Sequence, residues 1–297
     1  VSVNSPVVSK SRVFYDKIED YKQLVKVRLN LFVVFSAIAS YIIVAGWNVN
    51  WQSLIVLGLG GFLITGAANA LNEVLEKDYD KLMKRTKDRP LPTGRMSVSE
   101  AVFAAGFMFV VGLFLLTLFN PLAAVLGSLA VVSYAFIYTP AKRLSTIAVA
   151  IGAVPGALPV LIGAVAYEGT ITPLALILFG IQFIWQFPHF WAIGWLGFDD
   201  YKKAGYHLVP ERDGQPDPLI GKQSMFYTLL LLPLYGLGFW MDSISLLSVI
   251  SLSLVTIIYA FYGYRLFVEN NNTAARKLMF SSFFFLPMAL GALLIFG

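Results

Sequence analysis

Long apolar stretches, each closed by a shorter polar connection, repeat along the whole chain. Nine of them, at about residues 29–46, 52–74, 99–119, 121–138, 146–166, 173–195, 223–241, 244–264 and 278–297, are long enough as helices to cross a hydrocarbon core of about 30 Å. Some of the turns are very short. Asn120-Pro121 and Asp242-Ser243 are two, and a proline there ends one helix and starts the next. Residues 12–28 follow another pattern: Phe14, Ile18, Tyr21 and Val25 recur at helical spacing among charges. That predicts an amphipathic helix lying on the membrane surface. For residues 1–11 a frayed, solvated tail is an equal reading. The division expected is an N-terminal segment, 1–28, and a single all-α domain of nine membrane helices, 29–297.

The polar connections are not equivalent. Those at 75–98 and 196–222 are long, carry acids and bases together, and lie four spans apart. The spacing hints at duplication of a four-helix unit and would bring both loops over one cavity.

Composition sharpens the picture. Of 297 residues, 58% are hydrophobic and 13% charged, with mean hydropathy +0.72. A soluble domain has roughly 25% charged residues. With no cysteine, disulfides, iron–sulfur clusters, thiolate zinc sites and cysteine nucleophiles are excluded. Two histidines, His189 and His207, leave little room for a histidine-rich metal site. All 22 Lys and Arg fall in residues 1–28, 75–98, 139–145, 196–222 and 265–277, on one side of the nine-span arrangement. The positive-inside rule puts that side in the cytoplasm and the C-terminus outside. The net charge of +5 is thereby accounted for by anionic lipid, without nucleic acid. No apolar h-region with a cleavage site stands ahead of Leu29, so no cleavable signal peptide is expected, and no Arg/Ser-rich transit segment precedes the first span. A bacterial inner membrane is the expected location.

The densest chemistry runs from Asn72 to Pro92. Let the helix continue past the apolar part of the second span, with Asn72 as the origin. At about 100° per residue, Glu76 falls at about 40°, Asp80 at about 80° and Glu73 at about 100°. Asp78, at about 240°, faces away. Oxygen ligands from successive turns suit Mg2+, which takes a few carboxylates together with phosphate oxygens and water. Arg85 and Arg89 follow, and guanidinium forks match phosphate. A solvated loop obeying the positive-inside rule accounts for the cations as a group, but not for the acids.

Other candidates are less specific. Asp199 and Asp200, with Lys202 and Lys203, read equally as a second metal–diphosphate half-site or as a solvated turn. Lys142 and Arg143 read equally as diphosphate clamps or as membrane anchors. His189, among Trp185, Phe187, Phe190, Trp191 and Trp195, is either a functional intramembrane group or a neutral histidine bonded to a neighbouring helix. Gly152, Pro155, Gly156, Pro159 and Gly163 punctuate the fifth span and imply a kinked helix with close neighbours or a cavity wall.

With these residues in view, the chain resembles the UbiA superfamily of intramembrane prenyltransferases over about residues 20–297. Asn72, Glu73, Glu76 and Asp80 occupy the positions of that family's N-D-x-x-D-x-x-x-D motif, with Glu twice in place of Asp. Within it, the branch that prenylates heme is the most similar. The segments that carry this are M-x-R-T-x-x-R-P-L from Met83, Y-T-P-A-K-R from Tyr138, and P-H-F-W-A from Pro188, followed by D-D-Y-K-K-A-G. The resemblance implies a nine-helix bundle around a central cavity with cytoplasmic cap loops. It implies farnesyl diphosphate as donor, heme B as acceptor through a vinyl group, and heme O and diphosphate as products once water has added. Mg2+ would be held by Asn72, Glu73, Glu76, Asp80, Asp199 and Asp200. Diphosphate would be held by Arg85, Arg89, Lys142 and Arg143, and heme by His189. Partners implied are membrane lipid and heme A synthase or oxidase assembly factors. One departure is that Ala192–Phe198, just upstream of Asp199-Asp200, holds no acid, so a second metal would have fewer ligands than is usual in the family. The rival readings are a related enzyme acting on an aromatic quinone precursor, a heme or ion transporter, and a non-catalytic assembly subunit.

Overall fold

The computed structural model describes residues 10–46 and 48–297, with side chains from Tyr15 onward. Most of the expected tail and the Phe14 side chain therefore lie outside the described residues. The order is α1 (Lys10–Leu24), α2 (Val27–Ala45), α3 (Trp51–Asp80), α4 (Pro90–Thr93), α5 (Val98–Thr117) and α6 (Pro121–Val132). A π turn (Ser133–Tyr138) runs straight on into α7 (Thr139–Ala141). Then come α8 (Ala148–Glu168), α9 (Pro173–Leu196), α10 (Phe198–Lys203), α11 (Leu219–Leu229), α12 (Leu231–Trp240), α13 (Leu246–Glu269) and α14 (Asn272–Phe296). Between α10 and α11 a two-stranded hairpin pairs β1 (Glu211–Arg212) with β2 (Gln215–Pro216). Asp213 and Gly214 both take positive φ at its turn, as an Asp-Gly hairpin requires.

Several helices begin where the sequence supplies a cap. The side chains of Asn50, Ser97, Asn120, Thr172, Ser245 and Asn271 each accept an N–H in the first turn, and Pro121 and Pro173 stand in the first turn of α6 and α9. Among the described residues, eight helical segments are long and apolar enough to cross a membrane. The ninth expected span, residues 223–241, is not one uninterrupted helix. That region is two helices, α11 and α12, which meet at Leu230. The cause is Pro233: it has no N–H to give, and its ring crowds the carbonyl four residues back, that of Leu229, where α11 ends. The amphipathic helix is also shorter than expected. It stops at Leu24, and a break at Val25-Lys26 separates it from α2. Lys17 pairs with Glu100 at 3.0 Å and Asp20 with Arg95 at 2.8 Å, so α1 is tied to the start of α5.

Two large apolar clusters build most of the interior. One joins α8, α9 and α11–α14; the other joins α2, α3, α6 and α8. Helix α8 belongs to both, and its glycines set how near its neighbours come. A Cβ on Gly163 would collide with the Ala37 carbonyl of α2, and one on Gly156 with the Gln186 side chain of α9. Outward, Phe103, Phe107, Val110 and Phe114 are 77, 63, 64 and 61% exposed along one stripe of α5. A stripe that large and apolar is suited to lipid, not water.

Candidate active site

Helix α3 holds 30 residues, a length of about 45 Å against a hydrocarbon core of about 30 Å. Its last turns therefore reach the polar edge of the bundle while still packed inside it. Asn72, Glu73, Glu76 and Asp80 are all buried on the stripe that the helical repeat predicts, and the Asp78 side chain is 74% exposed on the opposite face.

Each buried acid meets a cation. Lys142 Nζ donates to Glu76 Oε1 at 2.7 Å. Arg89 Nη1 donates to Asp80 Oδ2 at 2.7 Å, while its Nε stands 3.4 Å from Glu73 Oε1. Lys26 Nζ donates to Asn72 Oδ1 at 2.8 Å, and Asn72 Nδ2 donates to Thr139 Oγ1 at 3.0 Å. Burying ions costs several kcal/mol each even when they are paired. A network of this kind is poor value as a structural device and points to chemistry.

Acceptor capacity remains within it. Glu73 Oε1 and Oε2 and Asp80 Oδ1 are buried without a hydrogen-bond donor. Among the described residues no three acidic or histidine side chains close on one point as a ready-made ion cage. The donor set nonetheless fits a hard divalent cation: carboxylate oxygens, an amide oxygen, and orphaned acceptors beside arginine and lysine.

Asn72, Glu76 and Asp80, but not Glu73, line a cavity of about 160 Å³. Lys26, Arg85, Arg89 and Lys142 add cations to its wall, and Leu29, Met83, Val149, Phe190, Ile193 and Leu208 add apolar surface. Tyr134, Tyr138, Tyr201 and Tyr206 line it as well. The π turn sets the first two. Pro140 has no N–H for the carbonyl that a regular helix would pair it with, and the Thr139 N–H reaches back to the Tyr134 carbonyl instead. The ring centres of Tyr134 and Tyr138 are then 5.3 Å apart, and Lys142 Nζ sits 4.6 Å from the centre of the Tyr138 ring.

Electrostatics outside the spans follow from these contacts. Burial opposes the Lys142 ammonium, but Glu76 outweighs it and the pKa is raised. Arg89 is likewise disfavoured by burial and more than compensated by Glu73 and Asp80. Lys26 is lowered to about 8, by burial first and Arg89 second. Burial, then Glu76 and Asp80, pushes the Tyr206 phenol up.

The remaining candidates lie elsewhere. Asp199 and Asp200 do not line this cavity. Asp199 is exposed, and Asp200 Oδ2 accepts the backbone N–H of Lys84 at 3.1 Å. Arg143 turns from the cavity too: its guanidinium lies 4.4 Å over the Tyr79 ring and donates to the Tyr79 hydroxyl at 2.5 Å. His189 is buried in α9, with Nδ1 2.7 Å from Ser282 Oγ of α14 and its ring stacked 5.1 Å from Trp185. The cavity is lined instead by the next residue, Phe190, and by Ile193.

Sequence reasoning missed Lys26, Asn69, Thr139 and the four tyrosines. Asn69 stands one turn before Asn72 on the same stripe, which was a usable signal; its Nδ2 donates to the Val25 carbonyl at 3.2 Å. That bond holds the break before α2, where Lys26 takes φ 50°. A left-handed lysine is uncommon and marks a position that its surroundings impose.

The model of the UbiA prenyltransferase family matches residues 33–287. A protein of Christiangramia forsetii named protoheme IX farnesyltransferase is 42% identical over 271 residues, 89% of each chain. One of the same name from Cytophaga hutchinsonii is 41% identical over 90% of this chain and 94% of its own. Among solved structures, that of a digeranylgeranylglyceryl phosphate synthase superposes with TM-score 0.76 at 19% identity, covering 94% of this chain and 98% of the other. A UbiA homolog of Archaeoglobus fulgidus bound to GPP and Mg2+ superposes with TM-score 0.62 at 15% identity, covering 92% and 99%. With the family model spanning most of its length and relatives this similar along it, the chain belongs to the UbiA prenyltransferase family.

Proposed function

We propose that this chain transfers the farnesyl group of farnesyl diphosphate to a vinyl group of heme B, with addition of water, giving heme O and diphosphate. The observation that carries the prenyl-transfer part is the buried row Asn72, Glu73, Glu76 and Asp80, matched by Arg89 and Lys142, with all of these but Glu73 lining a cavity that Leu29, Val149, Phe190 and Ile193 also line. Heme as acceptor is supported by the relatives that bear the name protoheme IX farnesyltransferase.

In this reading Arg85, Arg89 and Lys142 bind the diphosphate, and the tail runs down among Val149, Phe190 and Ile193. Mg2+ would be held by Asn72, Glu73, Glu76 and Asp80, and it supplies charge neutralisation for the departing diphosphate. The bond from C1 of farnesyl to oxygen breaks, and its electron pair leaves with the diphosphate. The terminal vinyl carbon of heme bonds to C1. Water adds to the inner vinyl carbon and gives up its proton. Tyr134 and Tyr138 line the cavity in which the allylic cation would develop. His189 is assigned to orienting heme; with Nδ1 engaged by Ser282, Nε2 is the nitrogen it would present. The enzyme works in the inner membrane of a bacterium with its charged loops in the cytoplasm, as the distribution of Lys and Arg suggests.

The test is an acceptor assay. Purified protein in lipid nanodiscs is given farnesyl diphosphate with heme B or with 4-hydroxybenzoate, with and without Mg2+, and products are read by mass spectrometry. Heme O formation that needs Mg2+ is the expected result. Prenylated 4-hydroxybenzoate would move the chain to quinone synthesis, and no product with either acceptor would remove the enzymatic reading.

A further inference from the structure

We propose that Ser282 is a positioning residue that fixes the ring proton of His189 on Nδ1 and so keeps the Nε2 lone pair for the iron of a bound heme. The iron half of this rests on the heme reading given above. Ser282 is fully buried on α14 and holds two rings of α9 at once. Its carbonyl accepts the indole N–H of Trp185 at 2.8 Å, and its Oγ stands 2.7 Å from His189 Nδ1. Trp185 and His189, one turn apart on α9, stack with ring centres 5.1 Å apart and planes at 15°.

A contact between a hydroxyl and an imidazole nitrogen can run in either direction. The other neighbour of Ser282 decides it. Oγ also lies 2.5 Å from the Met279 carbonyl oxygen, one turn back on α14. Two oxygens come so close only with a hydrogen between them, and a carbonyl has none to give. The single hydroxyl proton is therefore committed to Met279. Toward His189 the serine offers only lone pairs, so Nδ1 carries the ring proton and donates it. In a neutral ring that leaves Nε2 bare. Among the described residues no protein group bonds to Nε2. A histidine whose other nitrogen donates to a fixed oxygen is the usual arrangement of a metal-ligating imidazole.

The surroundings suit a flat ligand. The His189 ring meets Phe190 and Phe283 at 5.5 and 5.1 Å between centres, and Phe283 in turn meets Phe32 and Phe280. Phe32, Phe280 and Phe283 are exposed, while His189 is nearly covered. A lone-pair nitrogen beside accessible aromatic rings matches a planar macrocycle with iron at its centre.

The chain has two histidines, so His207→Gln, at an exposed position, leaves His189 alone. The full chain carrying isotope-labelled histidine is placed in lipid bilayers without heme, and solid-state nitrogen NMR reads which ring nitrogen holds the proton. Nδ1–H with a bare Nε2 is expected. Ser282→Ala should shift the ratio of the two tautomers about tenfold toward Nε2–H, the size of one lost hydrogen bond. Ser282→Thr, which keeps the hydroxyl, should hold the original ratio. Nε2–H in the chain with Ser282 intact overturns the proposal, and that spectrum decides the matter if the Ser282 variants fail to fold.

A second arm separates the proposal from the heme reading. Ferric heme B titrated into the same chain in nanodiscs should give the optical and electron-paramagnetic signature of an imidazole-ligated iron, and His189→Ala should lose it. Ser282→Ala should weaken heme binding about tenfold, and Ser282→Thr should restore it. No nitrogen ligand on the iron with His189 and Ser282 both intact removes the heme reading of His189 and this proposal with it. Imidazole ligation that Ser282→Ala leaves unchanged overturns the proposal alone.

Discussion

Lys142 Nζ and Glu76 Oε1 stand 2.7 Å apart with both side chains buried, one from the turn after α7 and the other from the projecting end of α3. The pair joins two parts of the chain that are 66 residues apart in sequence, and it does so at the cavity wall. Lys142→Met leaves the Glu76 carboxylate buried without its partner, at a cost of about 3–5 kcal/mol. The apparent melting temperature should fall sharply, and turnover with it. Adding Glu76→Gln should restore much of the melting temperature but no turnover. Paired thermal scans and product assays separate the two effects; recovery of turnover in the double variant would show the pair to be structural.

Arg89 meets Asp80 with Nη1 and Glu73 with Nε, a two-nitrogen fork that the single ammonium of a lysine does not reproduce. Arg89→Lys should therefore cost about tenfold or more in kcat/KM for farnesyl diphosphate, despite keeping the charge. Steady-state kinetics at saturating heme reads this. A value within twofold of wild type would mean that charge alone suffices.

Asp80 presents one oxygen to Arg89 and leaves the other buried without a donor. Asp80→Asn should abolish heme O formation. Chelation of divalent cations should do the same to the wild-type protein, and excess Mg2+ should rescue the wild type but not the variant. Product formation by Asp80→Asn would falsify the metal site.

Close approach of α8 to α2 rests on Gly163, where an added Cβ would meet the Ala37 carbonyl. Gly163→Ala should destabilise the bundle by about 1–3 kcal/mol. Gly106→Ala, on α5 with nothing near the added atom, should be neutral or slightly stabilising. Melting temperatures of the two in the same detergent make the comparison, and equal losses would contradict it.

What could be read from the chain followed the range of the forces. The acid row was legible because a helical repeat is local, so Glu73, Glu76 and Asp80 fell on one face with Asp78 off it. The apolar stretches were legible because lipid imposes length. Pro233 was visible, yet its effect on 223–241 depended on whether neighbouring helices would re-satisfy the backbone, which residues alone do not say. Lys26, Tyr206 and Asn69 become site residues through tertiary contact, with little local pattern to mark them. Asp200 and Arg143 carry the residue types of a diphosphate site but turn elsewhere, to Lys84 and Tyr79.

The π turn at Ser133–Tyr138 makes the site depend on a count as well as on chemistry. A turn of this kind holds one residue more than an α-helical turn, so all that follows is advanced by about 100° around the axis. Take out one residue there and the helix closes smoothly, with the same side chains in the same order. Lys142 would then point a quarter turn or more away from Glu76. Deletion, not substitution, is the change this enzyme is least able to absorb at that place.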